Sequence, residues 1–121
     1  MILLDTSVWV DHFSRKSKQL DPFLESGRIM IHPLVIGELA CGHFRNRDAV
    51  FRELHTLPYA QVGTYAEALE FIDRFNLMGL GIGYIDVHVL LSAALTDGAR
   101  LWTADRRLHS IASRLDLEYT P

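Results

Sequence analysis

Four acidic side chains interrupt the apolar stretches of this 121-residue chain. Asp5 follows the run Met-Ile-Leu-Leu, and Asp86 lies within Tyr-Ile-Asp-Val-His-Val-Leu-Leu; the other two are Glu38 and Asp105. A lone carboxylate in an apolar setting is unfavourable by several kcal/mol unless it is protonated, paired with a base or bound to a metal. Few basic residues flank these positions, so the pattern predicts one shared cation-binding pocket.

The chemistry of such a pocket follows from its ligands. Carboxylate oxygens alone suit a hard cation, Mg²⁺ or Mn²⁺, rather than zinc. Two such ions about 4 Å apart can activate a water and stabilise the leaving oxygen of a phosphodiester. Alternatively, Asp5 and Asp105 cap the first and last helices, and Asp86 is a favourable charge in a first helical turn. Glu38, in the middle of a helix, has no such explanation, and the four acids together favour the metal site.

Short apolar runs alternate with helical patterns, which predicts an α/β fold in which helices wrap a central, mainly parallel sheet. The predicted buried strands are Met1–Asp5, Arg28–His32 and Arg100–Thr103, and the predicted edge strands are Tyr59–Val62 and Leu117–Tyr119. In open α/β sheets, ligands bind beyond the carboxyl ends of the strands. Asp5 and Asp105 both lie where a strand gives way to a helix, so the four acids can converge at one end of the sheet.

Seven helices are predicted, several of them with recognisable capping residues and apolar faces. They cover Ser7–Ser14, Gln19–Ser26, Pro33–Cys41, Arg47–Leu57, Tyr65–Asn76, Tyr84–Thr96 and Asp105–Leu115. Thr6 or Ser7 is expected to cap the first helix. Leu69 and Ile72 are predicted on the inner face of the fifth helix. The sixth helix is apolar almost all round, which predicts a buried central helix.

The length and composition of the chain further limit the classes of protein to which it can belong. A chain of this length forms one domain, here covering residues 1–121. No apolar run approaches the roughly 20 residues that span a bilayer, and the first residues lack the basic start of a signal peptide, so no membrane association is expected. Cys41 is the single cysteine, which excludes an internal disulfide and fits a reducing cytoplasm.

The net charge of −3 argues weakly against binding nucleic acid by overall attraction. Basic residues are unevenly distributed, however. They cluster at Arg15, Lys16 and Lys18, at Arg45 and Arg47, and at Arg106 and Arg107. Such patches can hold a phosphate backbone, and ordinary solvated surface charge explains them about equally well.

Four segments resemble, in the same order, the signature segments of the PIN-domain ribonucleases, and in particular the VapC toxins of type II toxin–antitoxin modules. The segments are Leu-Leu-Asp-Thr-Ser-Val-Trp from residue 3, Gly-Glu-Leu-Ala-Cys-Gly from residue 37, Gly-Ile-Gly-Tyr-Ile-Asp-Val-His-Val-Leu-Leu-Ser-Ala from residue 81, and Leu-Trp-Thr-Ala-Asp-Arg-Arg-Leu from residue 101. Each segment alone is weakly specific. The ordered set covers essentially the whole chain and is specific.

The resemblance implies a three-layer α/β/α sandwich and a Mg²⁺- or Mn²⁺-dependent endoribonuclease that hydrolyses RNA with a metal-activated water. It also implies a cognate VapB-type antitoxin as inhibitor and a homodimer, and the single cysteine fits the cytoplasmic location that we expect. The catalytic acids carried over from the family are Asp5, Glu38, Asp86 and Asp105. Of these, Asp5, Asp86 and Asp105 are expected to bind the metal.

The resemblance extends to residues beside the acids. Thr6, Ser7 and Thr103 match hydroxyl positions expected to orient the carboxylates or a water. Arg106 and Arg107 are candidates for contact with substrate phosphates, with surface solvation as the alternative. Some members of the family carry a further acid shortly after the last aspartate, and this chain has Arg106 and Arg107 in that stretch instead. A second metal is therefore expected to bind weakly, and only together with substrate.

Two other protein classes also place an acid at the end of a first strand. A phosphatase of the haloacid-dehalogenase kind needs a second acid where Ser7 stands, and a receiver domain needs a late lysine, whereas the only lysines are Lys16 and Lys18. Both are disfavoured. A metal nuclease acting on DNA stays open, and so does a catalytically silent PIN-fold module that binds RNA or regulates.

Several apolar features have two interpretations. His88 is expected to pack within its helix or to contact substrate, and Trp9 and Trp102 are expected in the core. The loop Met78–Gly83 either flexes over substrate or connects two helices passively. An apolar stripe either receives an antitoxin segment or a second subunit, or packs in the core. It comprises Phe44, Val50, Phe51 and Leu54.

Overall fold

Three parallel strands form the sheet within residues 1–15 and 18–121, the part of the chain that the computed structural model describes. They are β1 (Ile2–Leu4), β2 (Ile29–Met30) and β3 (Arg100–Trp102), in the spatial order β2-β1-β3. Ile2 is paired with both Ile29 and Arg100, so β1 is the central strand. Lys16, a member of the first predicted basic cluster, lies outside the described residues.

The two predicted edge strands are each reduced to a single bridge. Tyr59 pairs with Ile31, and Glu118 pairs with Leu101, both in parallel. Beyond Tyr59, the amide of Gln61 donates to the hydroxyl of Thr96 at 2.9 Å instead of to a neighbouring strand. The predictions of strands over 59–62 and 117–119 are therefore too long.

In the described ranges seven helices surround the sheet, and the predicted α/β/α architecture is confirmed. They are α1 (Thr6–Arg15), α2 (Asp21–Glu25), α3 (Pro33–Ala40), α4 (Arg47–Leu54), α5 (Tyr65–Phe75), α6 (Tyr84–Leu95) and α7 (Arg106–Arg114). The fourth ends before the predicted Leu57, where the side chains of His55 and Thr56 bond to carbonyls of the last turn. No helix among the described residues has the length and apolar character needed to cross a membrane.

The core is built largely from the sheet and α6, with residues of the other helices packed around them. All three residues of β1 are buried, and so is the whole stretch from Val87 to Ala93 of α6, which confirms the predicted central helix. Trp9 and Trp102 are also buried and belong to this core, as predicted. His88 is buried as well, with its ring against that of Tyr84, which agrees with the packing interpretation.

The inner face of α5 differs from the prediction. Ala68 and Phe71 are buried, whereas Leu69 is 44% exposed. Ala68, Phe71 and Ile72 follow the i, i+3, i+4 spacing of one helical face, and Leu69 lies about 100° away from Ala68 around the helix axis. The placement of Leu69 on the inner face is wrong, because a smaller residue next to it sets the orientation of the helix.

Candidate active site

Asp5 and Asp105 follow two neighbouring parallel strands. Asp5 comes directly after β1, and its amide donates to the carbonyl of Trp102, the last residue of β3, at 3.1 Å. Asp105 follows three residues after Trp102. Because the carboxyl ends of parallel strands meet at one edge of a sheet, both aspartates lie at that edge.

The carboxylate of Asp5 is buried and accepts three hydrogen bonds. The hydroxyl of Ser7 donates to Oδ1 at 2.5 Å, and the hydroxyl of Thr103 donates to Oδ2 at 2.7 Å. The amide of Val8 donates to Oδ1 at 3.4 Å. Asp5 thus occupies the capping position of α1, and the predicted caps Thr6 and Ser7 lie inside the helix with their hydroxyls turned to acids.

The same hydroxyls connect Asp5 to the turn that precedes α7. Thr103 Oγ1 accepts from the amide of Asp105 at 3.0 Å, and Ser7 Oγ accepts from the amide of Ala104 at 2.9 Å. The carboxylate of Asp105, in turn, accepts from the amide of Leu108 at 3.0 Å and caps α7. The turns after β1 and β3 are therefore held together by hydroxyl groups at the base of the acidic site.

Glu38 enters the site from α3. The start of α3 is fixed by Pro33 and by His32, whose Nδ1 accepts from the amide of Leu34 at 3.0 Å. Burial, together with nearby His88, lowers the pKa of His32 to about 4, so the ring is neutral at pH 7 and free to accept this bond. The side chain of Glu38 accepts from the hydroxyl of Thr6 at 2.5 Å.

Asp86 lies in the first turn of α6 and is half-buried. Its Oδ2 accepts from the amide of Gly83 at 3.0 Å, which fixes the side chain at the start of the helix. Of the four acids, only Asp5 is buried; Glu38 and Asp105 are exposed. The inference that all four lie in apolar surroundings is thus wrong for Glu38 and Asp105. Their apolar neighbours in sequence point to other sides of the chain.

Asp86 is electrostatically coupled to the other three acids. Burial raises the pKa of Asp86 above its ordinary value, and the amide of Gly83 lowers it in part. The negative charges of Glu38 and Asp105 raise the same pKa further. Burial also raises the pKa of Asp5, against the lowering effect of its three donors, and the charge of Asp86 adds to the rise. Asp86 is therefore repelled by each of the other three acids, and it links them into one candidate site.

A divalent cation fits these donors. Within the described ranges, no three or more His, Cys, Asp or Glu side chains are gathered closely enough to enclose an ion. Mg²⁺ does not require such a group, because it keeps several waters and commonly uses one or two carboxylates together with substrate phosphates. The donors are all oxygen atoms, and the repulsion that raises the pKa of Asp86 is what a cation would relieve.

The capping roles and the shared site are not alternatives. Asp5 and Asp105 do bond to helix-start amides, and Asp86 does accept from Gly83. Each of these bonds fixes a carboxylate at a helix start. The local roles that the sequence suggested therefore fix the positions of three of the acids.

Arg106 and Arg107 open α7, directly after Asp105, and both are exposed. Arg107 packs against the backbone at Gly81, which has φ +80° and would bring an added Cβ into collision with the guanidinium. Arg114, which was not among the residues predicted for the site, lines the same cavity as these two arginines. The signal was present, because Arg107 and Arg114 are seven residues apart, about two turns, and so lie on one helical face.

Thr103→Val tests the hydroxyl network, because valine keeps the shape and removes the donor to Asp5 and the acceptor for Asp105. For the RNA cleavage that the resemblance implies, we expect a fall of about 10- to 100-fold. We also expect a loss of roughly 1–3 kcal/mol in unfolding free energy, because a buried carboxylate loses a donor. The measurements are cleavage rate and urea unfolding.

The matched control is Thr96→Val, which removes a hydroxyl bonded to Ser92 and Gln61 far from the acids. It should lose stability and keep its cleavage rate. If Thr103→Val cleaves RNA at the wild-type rate, the hydroxyl network does not support the site.

The fold and the geometry of the site define a class of protein, a PIN-type α/β/α domain with a carboxylate site at the edge of its sheet. The family model for the PIN domain matches residues 2–114. Ribonuclease VapC32, from two strains of Mycobacterium tuberculosis, is 44% identical over 108 residues, which cover 89% of this chain and 87% of that protein. The chain belongs to the PIN-domain family and, within it, to the VapC group.

A solved structure supports the fold. The crystal structure of PAE2754 from Pyrobaculum aerophilum matches with a TM-score of 0.60, covering 91% of this chain and 84% of that one. Its sequence is 18% identical, so this likeness concerns the fold alone.

Proposed function

We propose that this protein is a divalent-metal-dependent endoribonuclease, the toxin of a type II toxin–antitoxin system. The observation that carries the proposal is the acidic site at the carboxyl edge of the sheet, in which the charge of Asp86 acts on Asp5 and the charges of Glu38 and Asp105 act on Asp86. The 44% identity to a protein named as a ribonuclease supports RNA as the substrate, rather than DNA.

Asp5, Asp86 and Asp105 would hold Mg²⁺ or Mn²⁺. When bound, the cation supplies Lewis-acid chemistry that makes water a competent nucleophile at neutral pH and offsets charge on the phosphate. Ser7 and Thr103 keep the Asp5 carboxylate in place by donating to it. Thr6 donates to Oε1 of Glu38, which leaves Oε2 able to accept a proton from the attacking water.

The expected products carry a 5′-phosphate and a 3′-hydroxyl. The oxygen of water bonds to phosphorus, and the bond from phosphorus to the 3′ oxygen breaks. The ribose 2′-hydroxyl takes no part in this reaction. Labelled RNA incubated with and without Mg²⁺, and with a chelator, tests the proposal by end-group analysis. Cyclic-phosphate ends would contradict the proposal. Binding of several RNAs without cleavage would favour a catalytically silent PIN-fold module. Equal cleavage of DNA would favour a metal nuclease that also acts on DNA.

A VapB-type antitoxin is the proposed inhibitor, and an apolar cavity of about 570 Å³ beside Glu38 supports a binding place for it. Phe13, Phe44 and Phe51 stack successively, with ring centroids 5.3 and 5.5 Å apart, and Phe44 forms part of the cavity wall. Of the predicted stripe, Leu54 is buried in the core, whereas Phe44 lines this open cavity. Phe44→Ala should weaken inhibition by the product of an adjacent antitoxin gene and preserve cleavage.

The homodimer is likewise a proposal. Light scattering of the purified protein at several concentrations tests it, and a mass of one chain throughout would contradict it.

A further inference from the structure

The outer face of α7 forms a cleft with the loop before α6. The cavity, about 360 Å³ in volume, is lined by Leu80, Arg106, Arg107, Ser110, Ile111 and Arg114, and we name it the α7 cleft. Leu80 and Ile111 supply apolar walls, and the three arginines with Ser110 supply hydrogen-bond donors. An apolar surface bordered by guanidinium groups suits a sugar-phosphate chain.

The positive charge of the α7 cleft is not neutralised by acids. Among the described residues, neither Arg106 nor Arg107 has an ion pair or a hydrogen bond, whereas Arg100 does pair with Asp116 at 3.6 Å. Arg114 donates from Nη2 to the carbonyl of Phe75 at 2.8 Å, a bond that fixes its position and leaves its charge uncompensated. These guanidinium groups are therefore available to an anion.

The loop packs against the side chain of Arg107. Gly81 has φ +80°, a left-handed conformation that glycine adopts without strain, and the Arg107 side chain lies where a Cβ of residue 81 would be. The Cδ of Arg107 is 3.0 Å from that position. Backbone and arginine pack closely here only because residue 81 lacks a side chain.

We propose that the α7 cleft binds the phosphate backbone of the RNA strand beside the scissile bond. This inference rests on the proposed function. The cleft begins at the residue after Asp105 and extends over eight residues of helix, roughly 12 Å, so it can follow a strand leaving the acidic site. A protein of net charge −3 with four acids at its site repels phosphates, and local cations are needed to hold the substrate.

Binding of a labelled single-stranded RNA tests the proposal, measured by fluorescence anisotropy in an Asp86→Asn background with Mg²⁺ so that the strand stays intact. We expect Arg106→Gln, Arg107→Gln and Arg114→Gln each to weaken binding about tenfold, irrespective of sequence. The slope of log K against log salt should fall by about 0.7 for each phosphate that a variant no longer neutralises. The matched control is Arg52→Gln, an exposed helical arginine on α4, which should bind as the parent does.

A pair of glycine variants tests the geometry without removing charge. Gly81→Ala should displace Arg107 and weaken RNA binding, whereas Gly79→Ala, with φ +73° and nothing within 4 Å of an added Cβ, should carry similar backbone strain and bind normally. Urea unfolding of both variants measures the strain separately.

The outcomes separate this inference from the proposed function. If the wild-type protein cleaves RNA but the three arginine variants bind with the affinity and salt slope of Arg52→Gln, the α7 cleft proposal is overturned alone. The same holds if those variants change only inhibition by the antitoxin, which would make the cleft a protein-binding surface. If the wild type neither binds nor cleaves RNA, the proposed function fails as well.

Discussion

Replacing Asp86 by asparagine will lower the rate of RNA cleavage in saturating Mg²⁺ by at least about 100-fold and will not destabilise the metal-free protein. Asparagine keeps an oxygen that accepts from the amide of Gly83, so the start of α6 is preserved. It removes a charge that burial, Glu38 and Asp105 all disfavour. The fold is thus expected to gain stability while the site loses a metal ligand.

Single-turnover cleavage and thermal unfolding measure the two effects on one preparation. Asp97→Asn is the matched control, because it makes the same chemical change at an exposed position just beyond the other end of α6. Asp5→Ala should lose cleavage as Asp86→Asn does. Cleavage by Asp86→Asn at the wild-type rate with added Mg²⁺ would remove Asp86 from the site.

Divalent cations will stabilise the wild-type protein strongly at pH 7. A cation present at 100 times its dissociation constant raises the unfolding free energy by about 2.7 kcal/mol, which corresponds to roughly 10 °C in Tm for a domain of this size. Asp5→Asn should lose most of this gain, because it removes the buried carboxylate around which the hydroxyl network is built. Differential scanning calorimetry with Mg²⁺, Mn²⁺ and chelator provides the measurement. Equal shifts for wild type and Asp5→Asn would contradict the assignment of Asp5 as a ligand.

Without metal, the unfolding free energy depends on pH with the opposite sign from that of a protein whose carboxylates have lowered pKa values in the folded state. The pKa values of Asp5 and Asp86 are raised above 3.8 in the folded state, so the folded state binds more protons than the unfolded state as these groups ionise. Stability contributed by these two groups therefore falls as the pH rises from 3.8 through their folded-state pKa values. Asp5→Asn should match the wild type at low pH and exceed it at pH 7 in chelator. A stability difference between the two proteins that does not change with pH would contradict this expectation.

The order of strands and helices was predictable because each element is encoded locally. Apolar runs marked β1 and β3, and the uninterrupted apolar character of α6 marked the central helix. Strand edges were less predictable, since the pairing of Tyr59 ends where the amide of Gln61 finds the hydroxyl of Thr96, 35 residues away in sequence. The residues around Tyr59 give no sign that a hydroxyl from a distant helix end replaces a neighbouring strand as the partner of this amide.

The sequence predicts which four acids form the candidate site, but it does not predict their surroundings. Glu38 has apolar neighbours in sequence, yet neighbours on a helix point in different directions, and its side chain reaches solvent and Thr6. The approach of Arg107 to Gly81 depends on how α7 packs against a distant loop. Sequence spacing indicates which residues share a face of one element, and only the assembled fold shows what faces them.

The bond from Thr103 to Asp5 joins residues 98 positions apart in the sequence. During synthesis on the ribosome, the first strand therefore leaves the exit tunnel long before the hydroxyl that must hold its aspartate has been translated. If the proposed function is correct, a nascent chain cannot complete its acidic site until nearly the whole polypeptide has emerged, and we expect it to be inactive until then. Chains truncated before residue 103 should accordingly be non-toxic when expressed.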